Sequence, residues 1–168
     1  MNKKISIEST DVSKFSFNET YGFEKVSRIE EDIKLPKRST TGSAGYDFFA
    51  LEDITIEPFK DYPKPTMVPT GIKIKLPNWT FLMLTNRSSN PGRLNLVIPH
   101  GQGIIDSDFY NNEDNEGEMA FSFYNVGDEP VHIKKGDKLG QGIIMPYYTV
   151  ADDKADGVRT GGFGSSGR

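Results

Sequence analysis

Two aspartates lie two residues apart in residues 103–109, where Asp106 and Asp108 follow a glycine and two isoleucines and precede Phe109. In an extended strand, side chains two apart point to the same face, so an unbroken strand would bring the two carboxylates together. Like charges this close are unfavourable unless water, a metal ion or a cationic ligand relieves them. The pair therefore indicates either a catalytic site or a solvated strand end before the polar residues 111–117.

The composition limits the classes of function. The 168 residues are enough for one domain with a core, and the net charge of -4 argues against non-specific binding of duplex nucleic acid. The chain has no cysteine, which excludes disulfides, zinc–thiolate sites and cysteine nucleophiles. No apolar run is long enough for a membrane span, and the start of the chain lacks the apolar segment of a signal peptide. We therefore expect a cytoplasmic protein with neither a membrane nor a nucleic-acid partner.

Short apolar runs between turns predict an all-β domain over residues 36–150. The alternation is strict at 72–76, where one face should be buried and the other solvated. Shorter strand-like runs occur at 46–50, 54–56 and 131–133. Many short strands at close spacing are typical of a sandwich or jelly roll.

The two ends of the chain differ from this domain. Residues 1–35 are predicted to be an N-terminal extension without chemistry, in which the apolar spacing at 21–35 suits a short amphipathic helix and a strand is the alternative. Residues 151–168 form a linker and a glycine-rich arm. Ordering a backbone residue costs roughly 1–2 kcal/mol, so the arm cannot fold alone. Its arginines, serine hydroxyls and bare amides suit a polyphosphate, and its aromatic ring suits a base, whereas an idle terminus is the alternative.

Five short motifs, taken together and in order, resemble those of the trimeric dUTPases. These enzymes cleave dUTP to dUMP and pyrophosphate, which keeps uracil out of DNA and supplies dUMP for dTMP synthesis. The motifs cover about residues 40–168 and lie at 44–47, 87–89, 103–109, 136–141 and 159–167. The resemblance implies a jelly-roll homotrimer with an exchanged C-terminal arm, three active sites each assembled from three chains, dUTP as substrate and Mg²⁺ as cofactor.

The resemblance also assigns roles to single residues. Asp106 would be the general base that activates water for attack on the α-phosphorus, and Asp47 would hold Mg²⁺ through water. The other assignments concern the substrate. Arg87, Ser88, Ser89 and Gln141 would bind phosphate oxygens or support that site; the backbone of Gly103, Ile104 and Ile105 would contact the uracil edge; Phe109 would pack under the deoxyribose; Arg159 would reach the γ-phosphate; Phe163 would stack on uracil; and Gly164, Ser165 and Ser166 would wrap the phosphates.

Four features depart from the family pattern. His100 stands where many relatives place an asparagine on uracil, and its role is open. Lys138 replaces a common arginine. The arm places its arginine four residues before its phenylalanine, where the family usually has five. Residues 110–116 lengthen the hairpin loop, which is predicted to be an acidic solvated protrusion; a protein partner at residues 111–118 is the weaker alternative.

Two other functions stay open. Deamination of dCTP occurs on the same fold, but it needs a glutamate base and an amine-accepting pocket, and no motif here matches them. The second is an inactive or moonlighting interaction protein that binds a partner through residues 111–118 and 1–35.

Overall fold

The computed structural model describes residues 21–162, and the fold is built from these residues alone. The strands are β1 (Gly22–Lys25), β2 (Lys37–Arg38), β3 (Tyr46–Phe49), β4 (Ile54–Ile56), β5 (Thr66–Lys75), β6 (Thr80–Asn86), β7 (Leu96–Val97), β8 (Gln102–Asp106), β9 (Met119–Asn125), β10 (Val131–Ile133) and β11 (Lys138–Pro146), and the helix α1 is Asn90–Leu94. A 3₁₀ turn at Ser107–Phe109 follows β8 directly. Within the described range, no helix has the length and apolarity needed to cross a bilayer.

Two main sheets pack face to face. One has the strand order β1-β5-β9-β7 and the other β2-β3-β11-β6-β8, while β4 pairs with β10. The inner faces of the two sheets contribute alternate residues to one core. Phe48 from one sheet and Phe121 and Phe123 from the other are among its largest fully buried side chains. The prediction of an all-β sandwich is confirmed.

Most predicted strands are present, and one prediction of exposure is wrong. β4 and β10 coincide with the runs at 54–56 and 131–133. The alternation at 72–76 is extended as expected, but Lys73, expected on the solvated face, is only 7% exposed. Residues 110–116 lie over that side of β5, and the Tyr110 ring centroid is 5.1 Å from the Lys73 ammonium.

Part of the segment predicted as an N-terminal extension, residues 22–29, packs against the sheet that contains β5. No helix forms there, and the strand alternative is right at Gly22–Lys25, because β1 pairs antiparallel with β5 over its whole length. Val26 and Ile29 are buried, as their spacing suggested. A spacing of three residues also fits an irregular chain that lies along a sheet edge. Residues 1–20 of the predicted extension lie outside the described part of the chain.

The lengthened loop at residues 110–118 is built around one buried side chain, which corrects the prediction of a solvated protrusion. Asn112 accepts hydrogen bonds from the backbone N–H groups of Asp114 and Asn115 with its Oδ1. Its Nδ2 donates to the carbonyl of Phe109 at 2.9 Å. An asparagine that satisfies several backbone groups in this way fixes the loop conformation.

Glu116 ties this loop to the rest of the domain. Its carboxylate accepts a hydrogen bond from Lys73 Nζ at 2.5 Å and two more from the N–H and hydroxyl of Ser27. Arg28 forms a second ion pair nearby, with Glu118 at 2.6 Å. Hydrogen bonds from Lys73 and Ser27 lower the pKa of Glu116 to about 2. Two acidic residues of the loop, Glu116 and Glu118, therefore bind the N-terminal segment 22–28 through Ser27 and Arg28.

We expect Glu116→Gln to lower the melting temperature at neutral pH, because it removes the charge that pairs with a buried lysine. The pKa of Glu116 is lowered on folding from an ordinary 4.5 to about 2. Its contribution to stability is therefore fully present above the unfolded value and is lost as the pH falls towards the folded one. The difference in melting temperature between variant and wild type should shrink across this acidic window.

Thermal unfolding at several pH values between neutral and acidic tests this expectation. Glu113→Gln is the matched control, since it makes the same change of charge at an exposed position of the same loop. It should melt with the wild type at every pH. A melting difference for Glu116→Gln that stayed constant through the acidic window would show that the ion pair does not stabilise the fold.

Candidate active site

One end of the five-stranded sheet gathers several of the predicted phosphate-binding residues. Asp47 on β3 lies directly opposite Gln141 on β11, which in turn lies opposite Thr85 on β6. Directly paired residues project from the same face, here the outer face of the sheet. Arg87 follows β6 and donates to the carbonyl of Lys138 at 3.4 Å. We call Asp47, Arg87, Lys138 and Gln141 the phosphate end.

The Asp47 carboxylate is held by a lysine and a serine. Its Oδ2 accepts hydrogen bonds from Lys138 Nζ at 2.6 Å and from Ser39 Oγ at 2.7 Å. Burial alone would raise the pKa of Asp47, but these two hydrogen bonds and the charges of Lys138 and Arg87 hold it below its ordinary 3.8. Asp47 is therefore ionised at neutral pH. Lys138, noted in the sequence only as a departure from the family pattern, is its closest cation.

The two serines of the second motif lie in the turn between β6 and α1. Ser88 is exposed and Ser89 is half-buried. The next residue, Asn90, is buried and donates its Nδ2 to Asn86 Oδ1 and to the carbonyl of Leu139, both at 2.8 Å. Asn90 is not among the site residues predicted from the sequence, although a polar residue between the serines and a proline is a usable signal. It fixes the serine turn against β11.

The aspartate pair lies at the end of β8, in a geometry that the alternation did not anticipate. β8 ends at Asp106 and the 3₁₀ turn begins, so the strand is not unbroken through Asp108. Arg159 nevertheless joins the two carboxylates. Its Nη2 donates to Asp106 Oδ2 at 2.8 Å and its Nε donates to Asp108 Oδ1 at 2.9 Å. The repulsion between the two carboxylates is therefore relieved by a cation, which is one of the possibilities that the sequence left open. We call these three residues the aspartate end.

The residues expected to contact the nucleoside surround this end. Phe109 is 3% exposed and lies beneath Arg159, whose guanidinium carbon is 5.7 Å from the ring centroid. Ile105 is buried in the core, whereas Ile104 is 53% exposed on the outer face, and Gly103 packs against β6. Among residues 21–162, β8 is the last strand of its sheet, so one side of its backbone pairs with no described strand. A free strand edge can form hydrogen bonds with a base.

The two ends do not meet within one chain. Three steps between paired strands separate Asp47 from the position of Gln102, and four residues along β8 then lead to Asp106. With strands about 4.8 Å apart and a rise of about 3.3 Å per residue, the two carboxylates are about 20 Å apart on one sheet face. His100 is exposed in the turn before β8. The predicted residues Phe163, Gly164, Ser165 and Ser166 lie outside the described part of the chain.

The described residues suit a magnesium ion only if phosphate oxygens and water complete its shell. Between residues 21 and 162, no three carboxylate or imidazole groups lie close enough together to hold a metal ion. Mg²⁺ commonly keeps several waters and takes one or two carboxylates together with substrate phosphates. The ionised Asp47 on the outer face fits such an arrangement.

Comparisons with known proteins identify the family. A family profile described as dUTPase matches residues 31–167. The chain belongs to the dUTPase family. It is 42% identical over 149 residues to the deoxyuridine 5'-triphosphate nucleotidohydrolase of Lactococcus lactis, covering 87% of this chain and 97% of that protein. It is 34% identical to the same-named protein of Wolbachia pipientis, covering 82% and 90%. The predicted family and the prediction of a nucleotide hydrolase are confirmed.

Solved dUTPase structures share the fold. The dUTPase from Streptococcus mutans superposes with a TM-score of 0.71 at 35% identity, covering 77% of this chain and 98% of that one. The dUTPase from phage phi11 of S. aureus gives 0.65 at 21% identity, covering 84% and 99%, which shows the fold alone. A mutant of that phage enzyme is described with a structural Mg(II) ion. The jelly-roll fold expected for this dUTPase is confirmed.

Gly45→Ala should reduce turnover much more than stability. A Cβ at Gly45 would fall on the side-chain oxygen of Gln141 and lie 2.7 Å from its Cδ, so Gln141 would have to leave the phosphate end. We expect kcat/KM to fall at least about tenfold, or roughly 1.4 kcal/mol of transition-state stabilisation.

Steady-state kinetics and thermal unfolding measure the two effects separately. Gly42→Ala is the control, because a Cβ there meets nothing within 4 Å. If Gly45→Ala and Gly42→Ala were equally active, the placement of Gln141 would not matter for the reaction.

Proposed function

We propose that this dUTPase hydrolyses dUTP to dUMP and pyrophosphate, with Asp106 as the general base. The observation that carries the proposal is the position of Asp106 at the end of an edge strand, on an outer face where 52% of its side chain is exposed. A uracil ring bound to the unpaired edge of β8 would bring the nucleotide's α-phosphorus towards the Asp106 carboxylate. A general base positioned against an attacking water typically contributes about 10²–10⁴-fold.

The phosphate end supplies the groups that a triphosphate needs. Arg87 and Lys138 provide positive charge and Gln141 provides a hydrogen-bond donor, while the exposed Ser88, in the turn beside the phosphate end, provides another. Asp47 would hold Mg²⁺ through water, and the ion when bound would neutralise charge on the triphosphate. Together these groups would orient the phosphates and stabilise the charge that develops during hydrolysis.

We propose further that each complete site forms between chains of a homotrimer. Asp106 must lie within hydrogen-bond reach of the water that attacks the α-phosphorus, and Asp47 must lie near the same triphosphate. Their separation of about 20 Å within one chain argues that a second copy brings the other end. The sheet face between the two ends exposes Ile104 and Met145, and apolar residues on an outer face are typical of a contact between chains.

Asp106→Asn should lower kcat for dUTP by about 10²–10⁴-fold, because the amide keeps the size of the carboxylate but cannot accept the proton. Pyrophosphate release in the presence of Mg²⁺ measures this, with dUTP, dTTP, UTP and dCTP compared on the wild type. Only dUTP should be cleaved rapidly. Asp128→Asn, at an exposed carboxylate that pairs with Lys60, is the control for loss of a surface charge.

Two results would contradict the proposed reaction. Wild-type turnover by Asp106→Asn would mean that another group is the base. Release of ammonia from dCTP, without pyrophosphate from dUTP, would identify the deaminase that occurs on the same fold.

Refolding equal amounts of Asp106→Asn and Asp47→Ala chains together should restore activity that neither variant has alone. If each site takes Asp106 from one chain and Asp47 from another, random assembly leaves both carboxylates intact in about one site in four. The mixture should then reach about a quarter of wild-type turnover. Each variant refolded alone is the control, and a mixture no more active than the two controls would place the whole site within one chain.

A further inference from the structure

Lys138 reaches Asp47 against the regular alternation of β11. In a regular strand, residues two apart face the same side, so Lys138 would share the core side with Gly140, where a Cβ would meet the ring of Phe121. Instead, the Lys138 ammonium lies 2.6 Å from Asp47 Oδ2 on the outer face. Leu139, which regular alternation would place outside, is 1% exposed and belongs to the core. The alternation of inner and outer residues is therefore inverted at the start of β11.

A β-bulge accounts for this inversion. On β3, Phe48 pairs with Gly140 of β11. The next residue of β3, Phe49, pairs with Lys138, so Leu139 is an extra residue in β11. A bulge leaves its extra residue outside the regular ladder and re-aims the side chains beside it. Here it places Leu139 in the core and turns Lys138 towards the outer face.

The buried side chain of Asn90 holds this bulge. Its Nδ2 donates a hydrogen bond to the carbonyl of Leu139, the extra residue, at 2.8 Å, and Asn90 is only 2% exposed. The same nitrogen donates to Asn86 Oδ1, also at 2.8 Å. Asn86 is oriented in turn by its own Nδ2, which donates to the carbonyl of Leu96. Only a donor group fits between the two acceptor oxygens that face Asn90.

We propose that Asn90 is a positioning residue, which fixes the bulge at Leu139 so that Lys138 points to Asp47 at the phosphate end. The Asn90 amide lies in the interior, so it acts through the backbone of β11 and not on a substrate. Without it, the Leu139 carbonyl loses a buried donor, and the bulge can relax and release Lys138 from its place. The effect on turnover rests on the proposed function, whereas the effect on Lys138 itself does not.

Cross-linking with a water-soluble carbodiimide measures the position of Lys138 without any need for turnover. This reagent joins a lysine amine to an aspartate carboxylate only where the two are in contact. In the full-length protein without nucleotide, mass spectrometry gives the yield of the cross-link between Lys138 and Asp47. The exposed pair of Lys60 with Asp128, at 3.1 Å, is the internal reference. Asn90→Ala should lower the yield at Lys138 about three- to tenfold relative to this reference, because one buried hydrogen bond to the bulge is lost.

Asn125→Ala is the matched control for loss of a buried asparagine. Asn125 is 1% exposed, and its Nδ2 also donates two hydrogen bonds, to the carbonyls of Ile56 and Glu129. None of these groups belongs to β11 or to the phosphate end. The cross-link ratio should therefore equal that of the wild type. An equal ratio in Asn90→Ala and wild type would overturn the proposal.

A double-mutant cycle with dUTP as substrate tests whether Asn90 acts through Lys138. Asn90→Ala should lower kcat/KM about three- to tenfold, and Lys138→Ala should lower it at least as much. If Asn90 acts by placing Lys138, Asn90→Ala should cause no further loss once residue 138 is alanine. Asn125→Ala should leave kcat/KM unchanged on either background. A double variant whose loss is the product of the two single losses would contradict the positioning role, because Asn90 would then act independently of Lys138.

Asn86→Ala is the milder variant if Asn90→Ala does not fold. It removes the oxygen that orients the Asn90 amide and leaves the bond to Leu139 in place, so the cross-link ratio and kcat/KM should both fall about twofold. An unchanged ratio in this variant would then overturn the proposal. If even the wild type failed to hydrolyse dUTP, the proposed function would fall, and the cross-link ratio would still decide whether Asn90 directs Lys138.

Discussion

The register of β11 between β3 and β6 is the constraint on which the site depends. It sets Gln141 opposite Asp47 and leaves Gly140 facing the core. A slip of one residue would exchange these faces. Gly140 opposes the slip, because a slip would bring a residue with a side chain into its place. A Cβ there would lie 2.6 Å from the carbonyl oxygen of Thr85 and against the ring of Phe121. Close packing inside the sandwich thus decides which side chains reach the outer face, where the proposed phosphate site lies.

A second set of interactions connects the three parts of the chain that lie outside the central strands. Glu116 joins the loop after β8 to Ser27 of the N-terminal segment and to the buried Lys73. Asp114, two residues earlier, holds Gly162 of the arm. The same short loop therefore contacts segments from both ends of the described chain. Its acidic composition reflects these internal partners, so its carboxylates are not simply a solvated surface.

Short-range patterns predicted the strands and the motifs well, and they failed where partners are distant in sequence. Turn residues and alternation suffice for β4 and β10, because strand geometry is local. The burial of Lys73 depends on Glu116, 43 residues away, and the fold of residues 22–28 depends on the same loop. The resemblance to a family identified Asp47 and Asp106 without their neighbours. That Lys138 and Arg159 pair with them is decided by sheet register and by the path of the arm.

The ion pairs of Lys138 with Asp47 and of Arg159 with Asp106 have the same arrangement, which bears on how the proposed site would work. Lys138 lies against Asp47 and Arg159 against Asp106, so each carboxylate proposed for the reaction is neutralised by a cation suited to phosphate. Without the pairing, an uncompensated carboxylate would lie at each end of the proposed site, and its negative charge would repel a triphosphate. When a triphosphate arrives, the cations can change partner, so no charge need be left uncompensated. If Asp106 is the general base, as proposed, transfer of Arg159 to a phosphate would free Asp106 Oδ2 for a water molecule and would couple activation of the base to the presence of substrate.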